Sequence, residues 1–174
     1  MIEPAPDTVD EGFVLEAAAP DLRRAIELLF FAYRDFTGEA DRLLERYGFG
    51  RAHHRVIYFV GRHPGISVSG LLDILKITKQ GLSPVLGQLM RDGFVVGRPD
   101  RVDRRRRRLY LTEEAQALER QLTARQSTRL AAAFACAGPE AADGFTRVLE
   151  AMVAADDRHR VAPAPPTEGP LSVP

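Results

Sequence analysis

Apolar residues recur at helical spacing along most of the chain, and the few places where that rhythm breaks define its organisation. From Pro20 and Asp21 to Gly48, the residues Leu22, Ile26, Leu29, Tyr33, Phe36, Ala40, Leu43, Leu44 and Tyr47 fall on one stripe, which predicts a long helix. Phe31 points to the opposite side of that helix, and a helix apolar on more than one face has a second packing partner. "RAHHRVIYFVGRHPG" predicts a shorter helix stopped by Gly61 and Pro64. "SVSGLLDILKITKQGLSPVLGQLMRDGFV" then divides in two: Ser67 caps a helix through Leu75, Lys76 and Ile77 turn the chain, and Thr78 caps a helix that Gly93 closes. Two helices joined by so tight a turn form a helix-turn-helix.

After Gly93 the period changes. "FVVGRP" and "RRLYLT" predict two short strands with an arginine-rich tip between them, a hairpin wing attached to the helix-turn-helix. Thr112 caps the next helix, with Glu113 and Glu114 placed for its N-terminal dipole, and Gly138–Pro139 breaks it. "EAADGFTRVLEAMVAADDRHR" predicts one last helix with Phe145, Val148, Leu149, Met152 and Val153 on one side. The fold class that follows is mainly α with a small β-hairpin wing (α+β). It is a winged helix-turn-helix lobe over residues 51–111, flanked by helices at 21–50 and 112–160. Residues 1–20 read as an N-terminal extension, and the proline-rich 161–174 as a disordered tail.

Composition narrows the setting. The formal net charge of the 174 residues is zero, the lone Cys136 excludes an internal disulfide framework, and no apolar stretch approaches the length of a membrane span. The acidic start "MIEPAPDTVDEG" has no signal-peptide character, so a soluble cytoplasmic protein with no membrane partner is expected. Against that neutral background Arg98, Arg101 and Arg104 through Arg108 put seven positive charges within eleven residues, opposed only by Asp100 and Asp103. Arginine is favoured by the negative potential of a narrow minor groove, and phosphate contacts add salt-dependent affinity.

On a helical wheel of residues 79–92, Leu82, Leu86 and Leu89 fall together, flanked by Val85 and Met90. Gln80, Pro84, Gly87 and Arg91 face away, with Ser83 and Gln88 beside them. Amides, a hydroxyl and small residues suit a major groove, where Gln pairs with adenine and Ser with any base, while Lys79 is placed for phosphate. The candidate DNA contacts are therefore Thr78, Lys79, Gln80, Ser83, Pro84, Gln88 and Arg91 from the helix, with the wing arginines. His53, His54 and His63 lack a completing cysteine or carboxylate cluster and read as ordinary histidines rather than metal ligands. Cys136, late in an alanine-rich helix end, reads as a buried structural thiol. No nucleophile motif, phosphate loop or paired acids stand out, so neither an enzyme nor a cofactor is expected.

These elements, in this order over residues 22–158, resemble the MarR family of bacterial winged-helix transcription regulators. The wing carries the resemblance: the family pattern Asp-x-Arg-Asp-x-Arg, an apolar strand and Leu-Thr stand here as "DRVDRR" and "LYLT", and "LMRDGFV" is similar to the family's ending of the recognition helix. The resemblance implies that Arg104 is the wing-tip arginine entering the minor groove and that Asp103 and Arg105 shape the wing, with Arg106 beside them. It implies a homodimer through the first and last two helices, a double-stranded pseudo-palindromic operator, and repression relieved by a small aromatic or anionic effector. Phe30, Tyr33, His54, Arg55 and Tyr58 are the candidate effector residues. Two positions depart from the pattern. Val102 stands where the family has arginine, and Pro84 lies inside the recognition helix. The pair Ser83–Pro84 is a good helix start, but a start near Lys79 is preferred because Leu82 is needed on the packed face. The rival reading is a winged-helix protein-interaction module without a specific DNA site.

Overall fold

The computed structural model describes residues 11–100, 103–104 and 106–161, with side chains from residue 22 onward. Helix α1 (Glu11–Leu44) runs into a 3₁₀ turn at Glu45–Tyr47, where Gly48 takes the left-handed conformation at φ 66°. It is followed by α2 (Arg51–Arg62), β1 (Ile66–Ser67), α3 (Val68–Leu75), α4 (Lys79–Arg91), β2 (Val95–Pro99) and β3 (Arg107–Leu111). Helices α5 (Glu113–Ala137), α6 (Pro139–Met152) and α7 (Ala155–Arg158) complete the chain. The caps lie where the side-chain chemistry puts them: the Ser67, Thr78 and Thr112 hydroxyls accept from the amides of Gly70, Gly81 and Ala115 at 3.0, 3.2 and 3.3 Å.

Four readings of the sequence change. Helix α1 begins at Glu11 rather than at Pro20, because the Glu-, Leu- and Ala-rich stretch before Pro20 favours helix strongly enough to continue through the proline. The wing sheet has three strands, not two, in the order β1-β3-β2, all antiparallel; Ile66 sits opposite Leu109 in a strand too short to give a periodic signal. The last helix is interrupted: Val153 and Ala154 are extended, at ψ 130° and 141°, so α7 turns away from α6. Asp157 and Arg160 then reach α3, through Asp157 to Lys76 Nζ at 3.5 Å and Arg160 to Asp73. Cys136 is exposed instead of buried, because the end of α5 has little cover from within the chain.

One core joins the two regions. Ala40, Leu43 and Leu44 of α1, Val56, Ile57 and Val60 of α2, Leu71 of α3, Leu109 and Leu111 of β3 and Ala115, Leu118 and Leu122 of α5 are all buried in it. Helix α4 enters this core through Leu82, Leu86 and Leu89. Lys76, between α3 and α4, is the one described non-glycine residue with positive φ (51°), and its ammonium reaches both Asp73 and Asp157. The chain thus takes this left-handed turn where two carboxylates hold the side chain. Most of the stripe read on the first helix is not covered: Ile26 is 67% exposed and Leu29 48%, whereas Ala40 and Leu44 are fully buried.

Because Leu89 is completely buried where α4 meets the core, Leu89→Ala should lower unfolding stability by about 2–5 kcal/mol. Chemical denaturation at fixed protein concentration checks this, with Val96→Ala on the exposed side of β2 as the near-neutral control.

Candidate nucleic-acid interface

Thr78 caps α4 one residue before Lys79, so the helix starts at the earlier of the two possible positions and Leu82 is buried. Pro84 consequently lies in the helix interior, where it cannot donate to the Gln80 carbonyl; in an ordinary interior that costs about 3 kcal/mol. The buried leucine row on the opposite face offsets the loss. Thr78, Lys79, Gln80, Ser83, Pro84 and Arg91 are all exposed. Gly87 lies between them, and a Cβ placed there would sit 3.4 Å from the Arg91 guanidinium. Met90, expected on the packed side, is 38% exposed and lies over Gly97 of β2, where the missing side chain leaves room for it.

Gln88 behaves differently from the rest of the outward set. It is half-buried, its Oε1 lies 3.0 Å from His53 Nε2, and its Nε2 donates to the Gly48 carbonyl at 3.4 Å. The wheel places it on the flank of the exposed face, and the adjoining helix draws it inward. Nothing in the spacing of α4 alone signals that contact, since its partners come 35 and 40 residues earlier.

In the wing, Arg98 is opposite Arg108 and Pro99 opposite Arg107. The tip closes through backbone bonds from Asp100 N to Arg106 O and from Arg106 N to Asp103 O, both 2.9 Å. Arg106 Nε also lies 3.4 Å from Asp103. The arginines, grouped together as one basic block by sequence, divide by role. Arg108 pairs with the buried Asp100 and donates to the Gly65 carbonyl at 3.2 Å, which ties the wing to the β1 loop. Arg98 stacks its guanidinium over Tyr110, 5.1 Å from the ring centre, and Arg107 donates to the Gly97 carbonyl. Arg104 and Arg106 project from the tip and are exposed. Arg101, Val102 and Arg105 lie outside the described residues. The sequence signal for the structural role of Arg108 is Asp100, eight residues earlier, at a spacing a hairpin brings together.

A cavity of about 470 Å³ opens between α1, α2 and α5. Tyr33, His54, Arg55 and Tyr58 line it, together with Phe36, Gln126 and Leu130. Arg55 Nη2 donates to the Tyr33 hydroxyl at 3.3 Å. Burial holds the His54 imidazole below its ordinary pKa, against the opposing pull of Asp41 and Glu119. Phe30 does not line the cavity. It is 64% exposed and packs edge-on against Phe31. His63 stacks on Phe59 and His53 on Phe49, and among the described residues no cluster of three or more His, Cys, Asp or Glu is placed to hold a metal ion.

The signature of the MarR family matches residues 47–106, from the approach to α2 through the wing tip. The HTH-type transcriptional regulator PetP of Rhodobacter capsulatus is 50% identical over 132 residues, covering 76% of this chain and 80% of that protein. The chain belongs to the MarR family. Its fold is also that of a MarR regulator from Methanosarcina mazei, at 27% identity, TM-score 0.61, over 75% of this chain and 92% of that one. Streptococcus pneumoniae FabT, solved in complex with DNA, shares the fold at 18% identity, TM-score 0.69, over 76% of this chain and 94% of that one. As a member of the family the chain is a DNA-binding transcriptional regulator and not an enzyme. Among its described residues no helix is long and apolar enough to cross a membrane.

For this MarR-family chain the division of the arginines gives a direct expectation. Arg108→Ala should lower unfolding stability by on the order of 1–2 kcal/mol, because it removes a charged partner of a buried carboxylate. Arg104→Ala should leave the unfolding curve unchanged, since the side chain is exposed at a turn. Paired urea denaturation of the two variants makes the comparison.

Proposed function

We propose that this regulator acts as a homodimeric repressor that sets α4 into the major groove of each half of a pseudo-palindromic operator and Arg104 into the adjacent minor groove. The observation that carries the reading is the wing tip. Arg108, Arg98 and Arg107 make contacts within the wing and Arg106 pairs with Asp103, while Arg104 stands exposed at the tip of a hairpin whose first strand packs against α4. A thin finger bearing arginine fits the narrow, negative minor groove, and the small polar face of Gln80, Ser83, Pro84 and Gly87 lets a helix approach base edges closely. Thr78 and Lys79, at the helix start, are suited to phosphate, and Arg91 to phosphate or guanine. Asp103 serves the shape of the tip, its carbonyl accepting from the Arg106 amide. FabT's complex with DNA supports the same use of a shared fold.

The dimer is supported by apolar surface that one protomer leaves open. Ile26, Leu28, Phe30 and Phe31 on α1, and Val148 and Met152 on α6, are exposed, large apolar side chains of the kind a partner subunit covers. Residues 21–50 and 112–160 are therefore assigned to dimerisation and 51–111 to DNA. A two-fold dimer reads half-sites about 10 bp apart, centre to centre, and a dimer seated on a promoter excludes polymerase. The cavity beside α2 suits a small aromatic anion, with Arg55 for its charge and Tyr33, Phe36 and Tyr58 for its ring. A ligand there releases the operator only through a difference in affinity for the two arrangements of the DNA lobes.

Single alanine variants at Arg104, Arg106 and Arg107 should be titrated against a duplex selected by the wild-type protein and against random DNA, at matched salt. Arg104→Ala is expected to lose the most affinity for the selected duplex, with smaller losses at 106 and 107, where neighbouring arginines replace one another at the phosphates. Equal losses at all three positions, or a silent Arg104→Ala, would reduce the wing to a diffuse anchor. A wild-type protein that binds all sequences alike would favour an interaction module.

A further inference from the structure

The inward turn of Gln88 belongs to a continuous hydrogen-bonded relay that leaves the recognition helix and returns to the chain ahead of α2. Gly50 N–H donates to His53 Nδ1 at 3.1 Å, which closes the first turn of α2. With Nδ1 accepting, the imidazole proton is on Nε2, so Nε2–H donates to Gln88 Oε1 at 3.0 Å. The amide orientation is then fixed as well, and its NH₂ faces the Gly48 carbonyl at 3.4 Å. The imidazole plane is set independently. Phe49 stacks on it with ring centres 4.9 Å apart and planes 14° from parallel, and Phe49 in turn meets Phe94, at the start of the wing, edge-on at 4.9 Å. Both rings of that support are buried.

We propose that His53 is the positioning residue of the recognition helix: its Nε2–H holds the Gln88 amide off the DNA face and against Gly48, so that Gln88 fixes the seating of α4 instead of reading a base. Reading adenine bidentately takes both the carbonyl and the amino group of the amide, and here each already has a partner within the protein. The anchor lies in the second half of α4, whereas Gln80 and Ser83, in the first half, are exposed. The leucine row resists lifting of α4 from the core. A directional bond on its flank resists rotation about its own axis, which would swing Gln80 and Ser83 along the groove. The proposal rests on the DNA-binding reading given above.

The test uses the full-length protein and a duplex enriched by the wild type from a randomised pool. His53→Phe keeps a ring against Phe49 but no relay. His53→Asn keeps an acceptor for the Gly50 amide without reaching Gln88, and Gln88→Met keeps the shape of the glutamine without its bonds. Each should bind the enriched duplex about tenfold more weakly, with the same preferred base at every position, and the double variant His53→Phe/Gln88→Met should be no weaker than either single one. Imidazole ¹⁵N spectra of the wild type should show the proton on Nε2, and Gln88→Met should shift that resonance. His53→Asn guards against a fold lost in the phenylalanine variant. The proposal is overturned if Gln88→Met changes the preference at one base position while the His53 variants do not. Additive losses, or no loss at all, also overturn it. A wild type that enriches no sequence overturns the DNA reading and this proposal together, while the ¹⁵N signature still reports whether the bond itself exists.

Discussion

The burial of one face of α4 is the constraint on which the rest of this molecule depends. Leu82, Leu86 and Leu89 are committed to a core shared with α1, α2 and α5, so the rotation of the helix is set and the residues offered to DNA are whatever remains. The same row explains how Pro84 is tolerated within the helix: the hydrogen bond it deletes is on the open side, and the packing on the other side holds the helix together. Gly97 extends the constraint into the wing by admitting Met90 against β2. Recognition helix and wing are therefore placed by packing before any electrostatic contact with DNA is made.

Charge follows a similar division between structure and surface. Twenty-four basic and twenty-four acidic residues balance over the chain, and the local excess at the wing is divided between contacts inside the hairpin and its tip. Arg108 holds Asp100 at the base of the tip, and Arg98 and Arg107 lie along the hairpin. Arg104 and Arg106 are concentrated at its narrow end. Positive potential focused there favours a groove over broad adhesion to nucleic acid. Near the other end of the lobe, Asp73, Lys76, Asp157 and Arg160 form a network between α3 and the chain following α6. The Arg160 guanidinium, hydrogen-bonded to it, holds the Asp73 carboxyl below its ordinary pKa.

The local signals in the sequence carried much of this fold. Hydroxyl caps at Ser67, Thr78 and Thr112, the left-handed glycine at 93 and the change of period after it locate the helix-turn-helix and the wing to within a residue or two. What could not be read was set by contacts distant in sequence or too short to be periodic. Ile66 becomes a strand only because Leu109 is opposite it. Val153 leaves the helix as the next turn folds onto α3. Gln88 obeys the wheel in its angular position, yet its amide belongs to His53, and a pattern within one helix cannot report a bond to another. Four of the five candidate effector residues line the cavity, since they are aromatic or basic and share the inner sides of α1 and α2, while the lining from α5 carried no such signal. Phe30 was drawn in by type alone.

The central claim is that α4 and the wing tip read adjacent grooves on each half of a two-fold site. Methylation interference for the major groove, combined with hydroxyl-radical footprinting for the minor groove, on the duplex enriched by the protein tests it most directly. The account predicts two major-groove blocks about 10 bp apart, centre to centre, each flanked by a short minor-groove protection that disappears in Arg104→Ala. A single uninterrupted protection with no paired major-groove blocks, unchanged in that variant, would contradict it.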